Sequence, residues 1–280
     1  MQARNTESAG INLYSESFGN PDNPTTLLIM GATASGAWWP DEFCVALANH
    51  GRFVIRYDHR DTGGSTGYAP GTASYTVEDL ADDAMRILDG YDIKAAHIVG
   101  MSLGGYIAQL LALKYSHRVL TITTISSERL AAADSTMPGI SPEVLEYHSR
   151  AATLDWNDRD AVTEYWVGAW ALLSGSAHEF EPDLIRTMVA ADLARTSNPL
   201  TAFNHAGLGD AIGWIGRLQE IKQPALVIHG TEDIVLPYVH AEALCEALPN
   251  ARLVKLEGTG HELPRAVWPV VVDEIVRHTT

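Results

Sequence analysis

From Thr25 onward the chain alternates short apolar runs with amphipathic stretches. T-L-L-I-M (26 to 30), R-F-V-I-R-Y (52 to 57), A-H-I-V-G (96 to 100) and L-T-I-T-T-I (120 to 125) are rich in apolar and β-branched residues, as strands are when a parallel sheet is covered on both faces. Between them lie helical patterns. Pro40 to His50 opens with proline and two acids and is followed by Gly51, which suits a helix start and stop. Thr76-Val77-Glu78-Asp79 resembles a capping box, and Leu80, Ala84, Ile87 and Leu88 behind it recur at helical spacing. Gly104 to Tyr115 carries few charges, which predicts a helix packed on two sides.

The rhythm then breaks. Between about Ser127 and Arg217 helices are expected but no strand, and Trp156, Tyr165, Trp166, Trp170, Phe180, Phe203 and Trp214 concentrate there. P-A-L-V-I-H-G (224 to 230) and R-L-V-K-L-E-G (252 to 258) resume the strand pattern, and a helical segment closes the chain. The expected organisation is an α/β core, residues 1–126 and 218–280, interrupted by a helical insertion at 127–217. The sheet should be mainly parallel, with helices on both faces.

Composition narrows the classes. With 46% hydrophobic and 19% charged residues the 280-residue chain has the make-up of a folded protein with a sizeable core. Nineteen Lys and Arg against 35 Asp and Glu leave a net charge of −16, which opposes nucleic acid and weakly favours uncharged small substrates. The N-terminus lacks an apolar signal region and no stretch is long enough to span a membrane, so a cytoplasmic, soluble protein is expected. Cys44 and Cys245 sit far apart in helical-looking segments and are read as buried free thiols. The same features are compatible with a homodimer.

Chemistry enters at Gly100-Met101-Ser102-Leu103-Gly104, a G-x-S-x-G pattern with a strand before it and a helix after it. A sharp turn there would lift Ser102 above the sheet as a nucleophile. Serine needs a base and a carboxylate. Asp233, past V-I-H-G, and His261, in G-T-G-H-E-L-P, follow in the order Ser, Asp, His at strand ends. Glu232 is the alternative acid. His59, in R-Y-D-H-R-D-T-G-G-S, is expected in a turn held by Asp58, Arg60 and Asp61, and His229 at a strand end. Acyl transfer also needs two oxyanion donors; Leu103 N–H and Ala32 N–H, the latter in M-G-A-T-A-S-G-A-W-W-P, are the candidates. H-E-L-P-R lacks the second histidine of H-E-x-x-H, and no His/Cys cluster has metal spacing, so neither a metal nor another cofactor is expected.

With Ser102, Asp233, His261 and the Gly31-Ala32 loop in this order, the chain resembles the α/β-hydrolases over nearly its whole length. The resemblance implies that the helical insertion is a cap covering the site. V-I-R-Y-D-H-R-D-T-G-G-S-T, M-G in place of the more usual H-G, and G-T-G-H-E-L-P resemble the aclacinomycin methylesterase group, enzymes that hydrolyse a methyl ester on an anthracycline. Similar cores serve acyl-homoserine lactone hydrolases, haloperoxidase-like esterases and C–C bond hydrolases. Met30 stands where many relatives have histidine. The expectation is a serine hydrolase acting on a small ester, or alternatively a lactone, in an apolar pocket that includes Met30, Gly31, Trp166, Trp170 and Trp214. A non-catalytic ligand receptor on the same fold is the rival class.

Overall fold

The computed structural model describes residues 1–132, 135–209 and 211–280. Strands β1 (Gln2–Ser8), β2 (Ile11–Phe18), β3 (Thr25–Ile29), β4 (Phe53–Tyr57), β5 (Ala96–Met101), β6 (Val119–Ile125), β7 (Ala225–Gly230) and β8 (Ala251–Leu256) form one sheet in the order β1-β2-β4-β3-β5-β6-β7-β8. From β4 to β8 every pairing is parallel, and the two N-terminal strands join antiparallel. That N-terminal hairpin carries no signal in the apolar pattern. Strand β1, Q-A-R-N-T-E-S, is a largely exposed edge held by backbone pairing with β2.

Helices α1 (Asp41–Asn49), α2 (Val77–Gly90), α3 (Leu103–Lys114), α7 (Val239–Ala247) and α8 (Trp268–His278) flank the sheet. Strand side chains alternate between its faces. Leu27, Ile29 and Ile98 join one buried cluster with α2, α3 and α7; Leu28 and Val99 join the other with α1 and α8. Helix α2 starts as the sequence indicates: Thr76 Oγ1 accepts from Asp79 N–H (3.3 Å) and Asp79 Oδ2 accepts from Thr76 N–H (2.8 Å). Cys44 is buried on α1. Cys245 is a free thiol as well but only half-buried on α7, whose outer face is open to solvent.

Between β6 and β7 the chain forms α4 (Pro142–Ser149), α5 (Arg159–Leu173), α6 (Pro182–Leu193) and a 3-10 segment (Pro199–Gly207), with no strand among the described residues. Val162 and Val167 of α5 and Ile185, Met188 and Val189 of α6 extend the cluster on the α1 and α8 side. This helical layer is tied down by charge. Arg195, just past α6, reaches Glu16 on β2 (3.0 Å) and Asp58 just past β4 (3.1 Å). Among the described residues no helix is long and apolar enough to cross a membrane.

Candidate active site

Four loops at the carboxyl ends of parallel strands supply the site, the place where open α/β sheets put theirs. The turn between β5 and α3 is the sharpest. Ser102 has φ 52° and ψ −119°, a conformation that costs a non-glycine residue on the order of 1–3 kcal/mol and is found at functional turns. The positions two before and two after it must be glycine: a Cβ on Gly100 would collide with the Gly104 carbonyl, and one on Gly104 with the Ile29 carbonyl. Hydrogen bonds from Ser102 N–H to the Ile125 carbonyl (2.9 Å) and from Ser127 Oγ to the Ser102 carbonyl (2.8 Å) hold the turn.

Asp233 lies three residues past β7 and His261 five past β8, and the fold joins them: His261 Nδ1 is 2.7 Å from Asp233 Oδ2. The other carboxylate oxygen, Oδ1, accepts from the N–H groups of Val235 and Leu236 (both 2.8 Å). His229, at the end of β7, places Nε2 3.2 Å from Asp233 Oδ2 and 2.7 Å from the Leu236 carbonyl. Burial raises the Asp233 pKa, but the His261 and His229 imidazoles outweigh it and hold the carboxyl well below its ordinary range. Glu232 points elsewhere, accepting from Ser176 N–H (2.7 Å) and Oγ (2.6 Å) at the surface.

Ser102 and His261 line one cavity of about 330 Å³, roofed by the helical segment. Among the described residues no hydrogen bond closes between Ser102 Oγ and the imidazole; such bonds are often long in empty sites and tighten around substrate. The walls are mostly apolar. Met30, Gly31, Ala32, Trp166 and Trp170 all contribute, as do Trp38, Met101, Val144, Leu173, Phe203 and Val235. Trp38 stacks on Trp170 (centroids 4.9 Å apart, 18° between planes) and Trp166 on Phe203 (6.2 Å, 18°). His148, from α4, is also on this wall, with Nδ1 2.8 Å from the Tyr165 hydroxyl. Leu103 is on the first turn of α3, where N–H groups have no partner inside the helix, and Ala32 is exposed at the cavity edge.

Trp214 does not line this cavity, contrary to the sequence-based expectation. Its indole belongs to the opposite layer, packed against the cluster of α2 and α3, with Nε1 donating to Glu78 (3.1 Å) and Arg217 stacked on its ring. The chain has by then left the roof and crossed to the other face of the sheet. Trp38 and Met101 lie inside the motifs that mark the site but read as core residues, and His148 is separated from those motifs in sequence, so none of the three had a signal as a pocket residue.

The turn around His59 is densely bonded. Asp58 accepts from Gly36 N–H and Gly64 N–H (both 2.8 Å), and burial, partly opposed by Arg195, raises its pKa to about 6. Arg60 pairs with Asp83 through two bonds of 2.6 and 2.8 Å, and Asp61 accepts from the Tyr75 hydroxyl (2.7 Å). The roof is also sewn to the His261 loop: His261 N–H donates to the Leu173 carbonyl (2.9 Å), and the Glu262 carboxylate accepts from Ser174 Oγ (2.8 Å) and Gly175 N–H (2.9 Å). No three His, Cys, Asp or Glu side chains among the described residues are grouped to hold a metal.

Known proteins resemble this chain. A family model described as the alpha/beta hydrolase fold matches residues 24–264. The chain is 36% identical to the rhodomycin D methylesterase DauP of Streptomyces sp. (strain C5) and 34% identical to the rhodomycin D methylesterase DnrP of Streptomyces peucetius, covering 100% of this chain and 98% of each relative. Among solved structures, Est816, described as an N-acyl homoserine lactone degrading enzyme, aligns with a TM-score of 0.73 at 26% identity over 98% of this chain and 99% of its own. A serine held at positive φ between strand and helix, and a family match across most of the chain, together mean that this protein belongs to the α/β-hydrolase fold family.

Proposed function

We propose that this enzyme hydrolyses a small carboxylic ester, a methyl ester on a flat, apolar ring system, through an acyl-enzyme on Ser102. One observation carries the reading: Ser102, raised by its strained turn, shares the wall of a mostly apolar cavity with an imidazole bonded to a buried carboxylate. His261 takes the serine proton and returns it to the leaving alcohol, while Asp233 fixes the tautomer and stabilises the imidazolium. The N–H groups of Ala32 and Leu103 receive the oxyanion, the latter aided by the positive end of the α3 dipole. Water then releases the acid. No cofactor takes part in these steps.

The likeness to two rhodomycin D methylesterases, over 98% of their length, supports the methyl ester. The cavity supports a ring system, since its stacked pairs Trp38–Trp170 and Trp166–Phe203 offer flat faces. A lactone is the second reading, supported by the likeness to Est816. Helices α4 to α6 and the segment Pro199–Gly207, within residues 127–217, act as the cap, and residues 1–126 and 218–280 as the core.

A fluorophosphonate probe is expected to label the wild type and not Ser102→Ala. Methyl esters of polycyclic acids should then exceed acyl-homoserine lactones in kcat/KM. Absence of labelling, with tight binding of an apolar ligand, would mean a receptor; faster lactone turnover would select the second reading.

A further inference from the structure

Two buried histidines that lie outside the proposed triad converge on the loop that carries Ala32. His59 Nε2 is 2.9 Å from the Met30 carbonyl, and His205 Nδ1 is 3.0 Å from the Thr33 nitrogen. They hold the residues on either side of Gly31-Ala32. The direction of the second bond is fixed by chemistry. A backbone N–H can only donate, so His205 Nδ1 is an unprotonated acceptor and its proton sits on Nε2, which donates to the Arg60 carbonyl at 2.8 Å. Burial agrees with this, holding both imidazoles neutral with pKa values lowered to about 4.

The loop needs such a restraint. Thr33 has φ +64°, a left-handed conformation that is a genuine outlier for a β-branched residue. Its hydroxyl donates to the Ala32 carbonyl (2.6 Å), on the same peptide group whose N–H meets His205. That peptide plane is therefore held on both edges. His205 itself rides on the 3-10 segment Pro199–Gly207, whose Phe203 and Ala206 line the cavity.

Resting on the ester-hydrolase reading above, we propose that His205 is a positioning residue for acyl transfer: from the cap, it fixes the Ala32–Thr33 peptide and so aims the Ala32 N–H at the oxyanion. Substrate seated on Phe203 and Ala206 presses on the same segment, so the roof and the oxyanion loop are set together. His205 touches no reacting atom. Its effect passes through the peptide that it holds.

Two near-isosteric variants separate this role from simple packing. In His205→Asn the side-chain oxygen takes the place of Nδ1 and still accepts from Thr33 N–H, while the bond to the Arg60 carbonyl is lost. In His205→Gln the amide nitrogen takes the place of Nε2 and still donates to Arg60, while Thr33 N–H is left without its acceptor. Each loses one buried bond, so the two should unfold at similar temperatures. Removing an oxyanion donor outright costs about 100- to 1000-fold in kcat; misaiming one is expected to cost His205→Gln about 10- to 100-fold, with KM changed by less than about threefold. His205→Asn should stay within about fivefold of the wild type. Equal loss in both variants, or no loss in either, overturns the proposal.

The rate of Ser102 phosphonylation by a fluorophosphonate supplies a second readout, since that reaction also builds charge on an oxygen in the same hole. If the wild type is labelled but turns over no ester, the substrate reading fails and the Asn-to-Gln ratio of labelling rates still decides the role of His205. If the wild type is not labelled at all, both readings fall.

Discussion

Replacing Asp233 by asparagine changes one atom of the site, and the surrounding bonds dictate how the new amide must sit. Asp233 Oδ1 accepts two backbone N–H groups, from Val235 and Leu236, each at 2.8 Å. An amide nitrogen cannot accept, so the asparagine oxygen must occupy that corner, and the NH2 group falls where Oδ2 now meets His261 Nδ1 at 2.7 Å. There it can only donate. His261 would then carry its proton on Nε2, facing Ser102, in the tautomer unable to remove the serine proton. Loss of the correct tautomer together with the imidazolium's counter-charge is worth about 10⁴-fold in kcat in triads of this kind, or about 5 kcal/mol at 1.36 kcal/mol per decade. Because size and two backbone bonds are kept, unfolding should shift little. The assay is steady-state hydrolysis of a p-nitrophenyl ester by Asp233→Asn, beside Glu232→Gln, whose carboxylate only ties Ser176 at the surface. A kcat for Asp233→Asn within tenfold of the wild type, or an equal loss in Glu232→Gln, would refute the assignment.

Two further outcomes are expected. Trp170→Ala removes one member of the Trp38–Trp170 stack from the cavity wall, so KM for a polycyclic ester should rise about tenfold or more while that for p-nitrophenyl acetate moves less than about threefold; parallel changes would place the ring system elsewhere. Burial lowers the pKa values of His59 and His205 from 6.5 to about 4, so the unfolded chain takes up protons first as pH falls below 6.5, and stability drops by about 2 kcal/mol per histidine at pH 5. Asp58, raised to about 6 by burial, has the opposite sign and offsets part of this loss. The urea midpoint should therefore be lower at pH 5 than at pH 7, and an unchanged midpoint would contradict it.

Much of the core was legible because periodicity reports burial directly. The runs at 26 to 30, 52 to 57, 96 to 100 and 120 to 125 became β3, β4, β5 and β6 to within a residue or so, since a strand covered on both faces is dominated by apolar and β-branched side chains. The hairpin of β1 and β2 was not legible, because β1 is a polar, exposed edge and β2, although mostly buried, places Ser15, Glu16 and Ser17 among its buried positions, so neither leaves an apolar run. Trp214 shows a different limit. Aromatic content marked the insertion but could not say which side of the sheet each ring would face.

Local chemistry was therefore written in the chain: glycines where a Cβ has no room beside Ser102, a capping box at Thr76, carboxylate and imidazole at strand ends. Tertiary structure alone decided the long-range partners, joining His261 to Asp233, Trp38 to Trp170, and Thr33 to His205 across 172 positions. The physical reason is that a turn's steric demands act between neighbours along the backbone. A hydrogen bond or ring stack between distant segments exists only after the sheet order and the crossing of the helical layer have set which loops meet.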